Sequence, residues 1–282
     1  MDYLAIKQVL LTHCKKEKEL EINKCYNENC LDTMKKMPDS FIDLTVTSPP
    51  YDNLRTYNGY SFDFEAVAKE LYRVTKQGGV VVWVVGDATI KGSETGTSFR
   101  QALFFKEIGF NLHDTMIYHK TNAPLTHPRY EQEFEYMFIF SKGRVNTFNG
   151  IKDKKNIYQG SIIGGTKRDS GTGVLRQLSG NKQGKRISEY GLRGNVWYIT
   201  NRSNRLGHPA VFPEALANDH IISWSNEGDL VYDPFMGSGT TAKMAILNKR
   251  NWIGSEISEE YCKIIEKRVS GIDIKGNYFE RN

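Results

Sequence analysis

At 282 residues, with 39% hydrophobic and 12% aromatic content, the chain has the material for one large α/β domain or a core domain with a smaller insertion. No apolar run approaches the ~18 residues of a membrane span and the start lacks a signal-peptide core, which excludes membrane and secreted classes and leads us to expect a cytoplasmic protein. The net charge of +5 is modest but uneven: residues 141–207 hold seven lysines and seven arginines against Asp153, Asp169 and Glu189, a local excess of eleven, so the rest of the chain carries six negative charges.

The first twenty residues read as a charged helical leader. Residues 21–26 then suggest a strand, 31–37 a helix and 41–47 a buried strand, an opening β-α-β unit. Apolar positions at helical spacing predict a helix over Phe64–Val74, stopped by Lys76-Gln77-Gly78-Gly79, and the continuous run at 80–85 predicts a strand buried on both faces. Residues 86–97, with three glycines, read as a mobile loop, and 99–108 as a helix. Asn111–His119 and 133–140 are expected to form an antiparallel hairpin at the sheet edge.

From Ser141 the periodicity fades into glycine-rich, basic clusters, with a short strand near 196–199. A stretch this long without a core pattern points to a function. A basic segment within an otherwise acidic globule is an electrostatic footprint for a polyanion. Regular structure resumes with a helix over 213–225, a strand at 230–232, a helix over 242–247, a strand at 251–256 and a helix over 258–269. Strand-helix alternation on both sides of the insertion predicts one doubly wound, mostly parallel sheet built from separate parts of the chain.

Four cysteines, Cys14, Cys25, Cys30 and Cys262, form no Cys-x-x-Cys pair, and the six histidines show no ligand spacing, so reduced thiols and no metal are expected. Two segments carry chemistry. Thr47-Ser48-Pro49-Pro50-Tyr51 closes the 41–47 strand, and Asp233-Pro234-Phe235-Met236-Gly237-Ser238-Gly239-Thr240-Thr241 joins a strand to a helix through a glycine turn. A strand, such a turn and a helix N-terminus let backbone N–H groups approach a polar ligand. Both segments begin at strand carboxyl ends, where doubly wound sheets bind ligands, so they can converge on one crevice.

Together with Glu256 closing the next strand, these segments resemble the S-adenosylmethionine-dependent DNA amino-methyltransferases of the N4-cytosine and N6-adenine family, in the circularly permuted, beta-class order with the catalytic half first. The resemblance implies a Rossmann-like methyltransferase fold with a catalytic half at 1–140, a target-recognition insertion at 141–207 and a cofactor half at 208–282. It implies S-adenosylmethionine as cofactor, double-stranded DNA as partner, and a cognate restriction endonuclease where the chain belongs to a restriction-modification pair.

In the cofactor site so implied, Gly237 and Gly239 admit the cofactor to the backbone, Thr240 and Thr241 offer hydroxyls and N–H groups to its carboxylate, and Asp233 takes its amino group. Phe235 packs on the adenine, and Glu256 accepts from the ribose hydroxyls. Phe212 and Pro213 belong to the element lining the methionine end, while Asn29 stands where the family has an acidic residue toward the adenine amino group. In the catalytic loop, the Ser48 hydroxyl oxygen and the Pro49 carbonyl accept from the exocyclic amino group of an extruded base, Pro50 stiffens the loop and Tyr51 stacks on the base. Lys167, Arg168, Arg176, Lys182, Lys185, Arg186 and Arg193 are the expected DNA contacts, and Tyr158, Tyr190 and Trp197 either stack on bases or pack a small core.

No cysteine follows a proline, so ring-carbon methylation through a cysteine nucleophile is excluded. A serine opening the catalytic motif is commoner among cytosine-N4 members, which makes that target the first reading. Adenine-N6 methylation, a catalytically silent DNA-binding module of the same fold, and methylation of a small molecule or protein stay open as alternatives.

Overall fold

The computed structural model describes residues 20–50, 63–120, 130–163, 166–169, 171–177, 184–200 and 212–272, with Lys167 described in its backbone only. In chain order the elements are β1 (Lys24–Tyr26), α1 (Cys30–Lys35), β2 (Ile42–Thr47), α2 (Phe64–Val74), β3 (Thr75–Val85), β4 (Thr89–Ile90), β5 (Ser93–Glu94), α3 (Thr97–Glu107), β6 (Asn111–His119) and β7 (Phe134–Ser141). There follow β8 (Lys152–Lys155), β9 (Thr166–Arg168), β10 (Leu175–Gln177), β11 (Tyr190–Leu192), β12 (Val196–Tyr198), α4 (Glu214–Trp224), β13 (Leu230–Asp233), α5 (Thr240–Leu247), β14 (Asn251–Ser255) and α6 (Glu259–Val269).

Eight of the described strands form one sheet in the order β1-β14-β13-β2-β3-β7-β6-β12. All neighbours pair in parallel except β7, which runs against both β3 and β6. The doubly wound expectation is therefore met. The β6–β7 hairpin lies at the expected end of the sheet, and β12 adds outside it, parallel to β6. The opening unit is parallel as read, but β14 and β13 from the far end of the chain insert between β1 and β2, so β1 sits beside the glycine-turn strands.

The run at 80–85 is apolar throughout because it is buried on both faces. Val80, Val82 and Val84 pack with Leu216, Ile221 and Ala245 of α4 and α5. Val81, Trp83 and Val85 pack with Leu71 of α2, Phe105 of α3 and Met34 of α1. The valine, leucine, isoleucine, phenylalanine and methionine side chains among these contribute about 1.5–3 kcal/mol of burial each. β3 starts earlier than read: Thr75 ends α2, its hydroxyl bonds the Leu71 carbonyl at 2.6 Å, and the strand continues across a register shift against β2. Gly78, at φ +81°, makes that irregular passage. Residues 86–97, read as a mobile loop, contain the β4–β5 hairpin, turned at Lys91 and Gly92 with φ of 49° and 81°.

The 141–207 stretch has little core of its own among its described residues. It contains two small antiparallel sheets, β8 with β11 and β9 with β10, before β12 returns to the main sheet. Trp197 of β12 is buried and stacks on His220 of α4, ring centroids 4.5 Å apart, so it packs the core; Tyr158 and Tyr190 remain exposed.

His220 has no partner at Nδ1, and burial, reinforced by the Arg193 charge, lowers its pKa to about 3. The imidazole is neutral when folded and binds a proton more readily when unfolded, so stability rises with pH between these two pKa values. Its contribution is complete above about pH 6.5 and declines as pH falls toward 3, a loss of about 2 kcal/mol by pH 5. His220→Phe should flatten that part of the stability-pH curve in urea titrations between pH 5 and 7.

Candidate active site

The carboxyl ends of β1, β14, β13, β2 and β3 lie side by side, and each carries a polar segment. β2 and β3 are in register at Thr47 and Trp83, while β13 lies on the other flank of β2. Ser48 and Pro50 are half-buried and Pro49 is buried directly beyond β2; Tyr51 lies outside the described residues. The topology thus brings Ser48-Pro49-Pro50 and the Asp233–Thr241 turn, far apart in sequence, to neighbouring strand ends.

The turn is held by bonds that its sequence did not disclose. Gly237 and Gly239 have φ of 53° and 80°, and a Cβ on Gly239 would stand 3.0 Å from Ile265 Cγ1 of α6. Gly239→Val therefore disturbs the fold as well as the site. We expect Gly239→Ala alone to cost about 1–3 kcal/mol, read in a thermal melt, from left-handed strain and the crowded core.

Thr240 and Thr241, expected to offer hydroxyls to a ligand carboxylate, are 2% and 1% exposed and already engaged. The Thr240 hydroxyl accepts from Arg268 Nη1 at 3.1 Å, and the Thr241 hydroxyl donates to Asp233 Oδ2 at 2.7 Å. This corrects their reading: the hydroxyls brace the turn, and the backbone at the start of α5 is what remains to meet an anion. Asp233, read as the acceptor of a ligand amino group, is buried and also accepts from the Thr47 hydroxyl at 2.6 Å and the Phe235 N–H at 3.0 Å. Burial raises its pKa, opposed by these bonds.

Arg268 escaped the sequence reading because the last turn of α6 looks like an ordinary basic helix end. Its Nη1 donates to the Ser238 carbonyl at 2.9 Å and hydroxyl at 3.0 Å, and its Nη2 to Glu214 at 2.5 Å. The side chain is 8% exposed, so it clamps the turn from behind.

Glu256 sits at the end of β14. Its Oε2 accepts from Gly237 N–H at 2.8 Å and its Oε1 from Ser258 N–H at 2.9 Å. Burial raises its pKa, with these backbone bonds pulling the other way. One donor per oxygen leaves lone pairs for a pair of vicinal hydroxyls. Asn27 donates to the Glu256 carbonyl at 2.9 Å, bringing the end of β1 to the same place. Asn29, however, caps α1 by accepting from Leu31 N–H at 2.9 Å. Phe235 is half-buried edge-on to Trp83, centroids 6.3 Å apart. Phe212 packs against the core and Pro213 caps α4.

On the β3 side, Asp87 accepts from the Ser98 N–H at 2.9 Å and hydroxyl at 2.5 Å, tying the β4–β5 hairpin to the start of α3. A lone aspartate after a strand gave no warning of this. No group of three or more His, Cys, Asp or Glu among the described residues is arranged to hold a metal ion.

Among the expected DNA contacts, Arg168, Lys185 and Arg186 are exposed, and Arg176 is exposed with its Nε 3.5 Å from Asp169. Lys182 and the side chain of Lys167 lie outside the described residues. Arg193 departs from the expectation. Its guanidinium bonds Asp153 and Asp219, at 2.5 and 2.6 Å, and lies 5.0 Å from the Trp197 ring, which commits it to joining the insertion to α4. Lys142 also turns inward, donating to the Tyr72 carbonyl at 2.7 Å. Conversely, β8 presents Lys152, Lys154 and Lys155 to solvent, which the sequence reading did not single out.

Residues 42–267 match the DNA methylase family of N6 and N4 methyltransferases. The chain belongs to that family. It is 59% identical over 243 residues to the orphan methyltransferase M.BamHII of Bacillus amyloliquefaciens, spanning 82% of this chain and 89% of that one. Among solved structures it resembles the cytosine-N4-specific PvuII DNA methyltransferase, with TM-score 0.64, 22% identity and coverage of 89% and 88% of the two chains. It also resembles M1.HpyAVI, solved as a complex with S-adenosylmethionine, with TM-score 0.59, 23% identity and coverage of 87% and 98%. Members of the family are S-adenosylmethionine-dependent methyltransferases.

Proposed function

We propose that this DNA methylase transfers a methyl group from S-adenosylmethionine to the exocyclic N4 of a cytosine flipped out of duplex DNA. The observation that carries the reading is the juxtaposition, on adjacent strands, of Ser48-Pro49-Pro50 and the turn at Asp233–Thr241, joined by the Thr47–Asp233 hydrogen bond. The cofactor supplies an electrophilic methyl on a sulfonium. Gly237 and Gly239 give it a close backbone approach, and Glu256 holds the ribose.

An exocyclic amino nitrogen is a weak nucleophile because its lone pair is delocalised into the ring. Ser48 Oγ and the Pro49 carbonyl would accept from its two N–H groups, drawing it toward tetrahedral geometry and freeing that pair for in-line attack, after which the methylated nitrogen sheds one N–H proton to solvent. Pro49, buried, and Pro50, half-buried, keep the acceptors in place. No covalent enzyme intermediate is needed, in keeping with the absence of a Pro-Cys pair.

The 141–207 segment is read as the target-recognition region. Lys152, Lys154, Lys155, Arg168, Arg176, Lys185 and Arg186 offer phosphate or base-edge contacts, and exposed Tyr158 and Tyr190 offer stacking faces. Arg193 is left out of this set. Reversing Lys182, Lys185 and Arg186 together to Glu should weaken DNA binding and reduce the slope of log K against log salt by about three, because fewer counterions are released. A filter-binding series from 50 to 300 mM salt reads the slope, and an unchanged slope makes the segment an ordinary solvated surface.

High identity to a protein named an orphan methyltransferase favours a solitary modification enzyme over one half of a restriction-modification pair. The deciding experiment is mass analysis of nucleosides from DNA treated with the purified protein and cofactor. N4-methylcytosine is expected. N6-methyladenine would move the target to adenine and keep the mechanism, and no methylated nucleoside would leave a DNA-binding module.

A further inference from the structure

One carboxylate at the bottom of the site serves both segments. Thr47 is the last residue of β2 and is bonded through the chain to Ser48; its side chain is fully buried. Its hydroxyl donates to Asp233 Oδ1 at 2.6 Å, across the seam between β2 and β13. The same oxygen accepts from the Phe235 N–H inside the glycine turn, and Oδ2 accepts from Thr241 in the first turn of α5. Thr241 Oγ1 also lies 3.3 Å from the Val46 carbonyl, but its single proton goes to the nearer carboxylate oxygen at 2.7 Å.

All three of these contacts to Asp233 are neutral donors. Among the described residues Asp233 is therefore held by neutral donors alone, so a positive charge entering the crevice beside it is attracted to the carboxylate and alters all bonds to it. Two of those bonds end on the glycine turn and its helix, and the third ends one residue before Ser48. Strand β2 carries little freedom there, since Thr45, Val46 and Thr47 are all fully buried. A small change at Thr47 therefore passes to the Ser48-Pro49 acceptors instead of dissipating.

We infer that Thr47 is a positioning residue that couples occupation of the glycine turn by a cationic cofactor to the geometry of the Ser48-Pro49-Pro50 loop, through the buried Thr47–Asp233–Thr241 bridge. This rests on the methyltransferase reading above and adds a communication step to it. Thr47 touches neither the cofactor nor the base in this scheme. Its effect is on alignment, where errors of an ångström cost orders of magnitude in rate.

The test uses the full-length enzyme, S-adenosylmethionine and plasmid DNA shown by nucleoside analysis to be methylated by the wild type. Thr47→Val keeps the volume and removes the hydroxyl; Thr47→Ser keeps the hydroxyl. Thr47→Val is expected to lower kcat at least tenfold while KM for S-adenosylmethionine moves less than about threefold, and Thr47→Ser to restore kcat to within about threefold. In the wild type, cofactor should tighten DNA binding, and in Thr47→Val that factor should fall toward one although each ligand still binds alone. Should Thr47→Val fail to fold, Thr47→Cys, close in volume but with only a weak S–H donor, takes its place. Wild-type kcat and coupling in the variant lacking the hydroxyl donor overturn the inference, as does a fall confined to cofactor affinity or equal losses in the Ser and Val variants. A wild type that transfers no methyl group overturns the methyltransferase reading instead, so the two failures are distinguishable.

Discussion

Ser48→Ala is expected to lower kcat for DNA methylation by about two orders of magnitude, the usual effect of deleting one preorganised hydrogen-bonding partner of a reacting group. The lost acceptor matters most as the amino nitrogen rehybridises, so cofactor and DNA affinities should stay near wild type. The backbone carbonyl of Pro49 survives the substitution, so residual activity is expected and its product should be the same methylated base. Steady-state kinetics with calorimetric binding of each ligand separates these quantities. Full activity in Ser48→Ala would mean that the Pro49 carbonyl suffices alone; parallel loss of DNA affinity would assign Ser48 to binding. Tyr51→Ala is expected to be more severe if Tyr51 stacks on the extruded base as the sequence suggests.

Arg268→Ala is expected to have the largest effect on the cofactor half. The substitution leaves the Ser238 carbonyl and hydroxyl, and the Thr240 hydroxyl, without the donor they share, and removes one of the two cations that Glu214 contacts. Loss of charge-assisted bonds from a buried guanidinium costs about 2–4 kcal/mol, which for a chain of this size lowers Tm by about 3–7 °C. Cofactor affinity should fall as well, because the glycine turn loses its rear support. Arg268→Lys should rescue poorly, since an ammonium cannot span the turn and Glu214 with the same planar fork. A thermal melt and calorimetric titration with S-adenosylmethionine report the two effects, and a variant with unchanged Tm and affinity would show that the turn holds itself.

By itself the sequence determined the alternation of strands and helices, the doubly wound sheet and the two motifs that place the chain among the DNA methylases. These are local properties. A run such as Val80 to Val85 is apolar at every position only where both faces are covered, and a strand that opens into Asp233-Pro234-Phe235-Met236-Gly237 needs residues that tolerate positive φ. The starts of α2 and α6 are local in the same way: Asp63 and Ser258 cap them with hydrogen bonds to residues only three positions away.

The tertiary structure decided which side chains were left to face a ligand, because hydrogen bonds between distant segments follow no periodicity. Thr240 and Thr241 look like ligand hydroxyls until α6 brings Arg268 behind the turn and β13 brings Asp233 beside it. Arg193 looks like a phosphate contact until Asp153 and Asp219 close on it from elements 40 and 26 residues away. The pairing of β13 with β2, with β14 between β13 and β1, joins segments from opposite ends of the chain and leaves no local trace in the sequence. That one topological choice sets Thr47 against Asp233 across 186 residues of chain, joining in space what the sequence presents as two separate motifs.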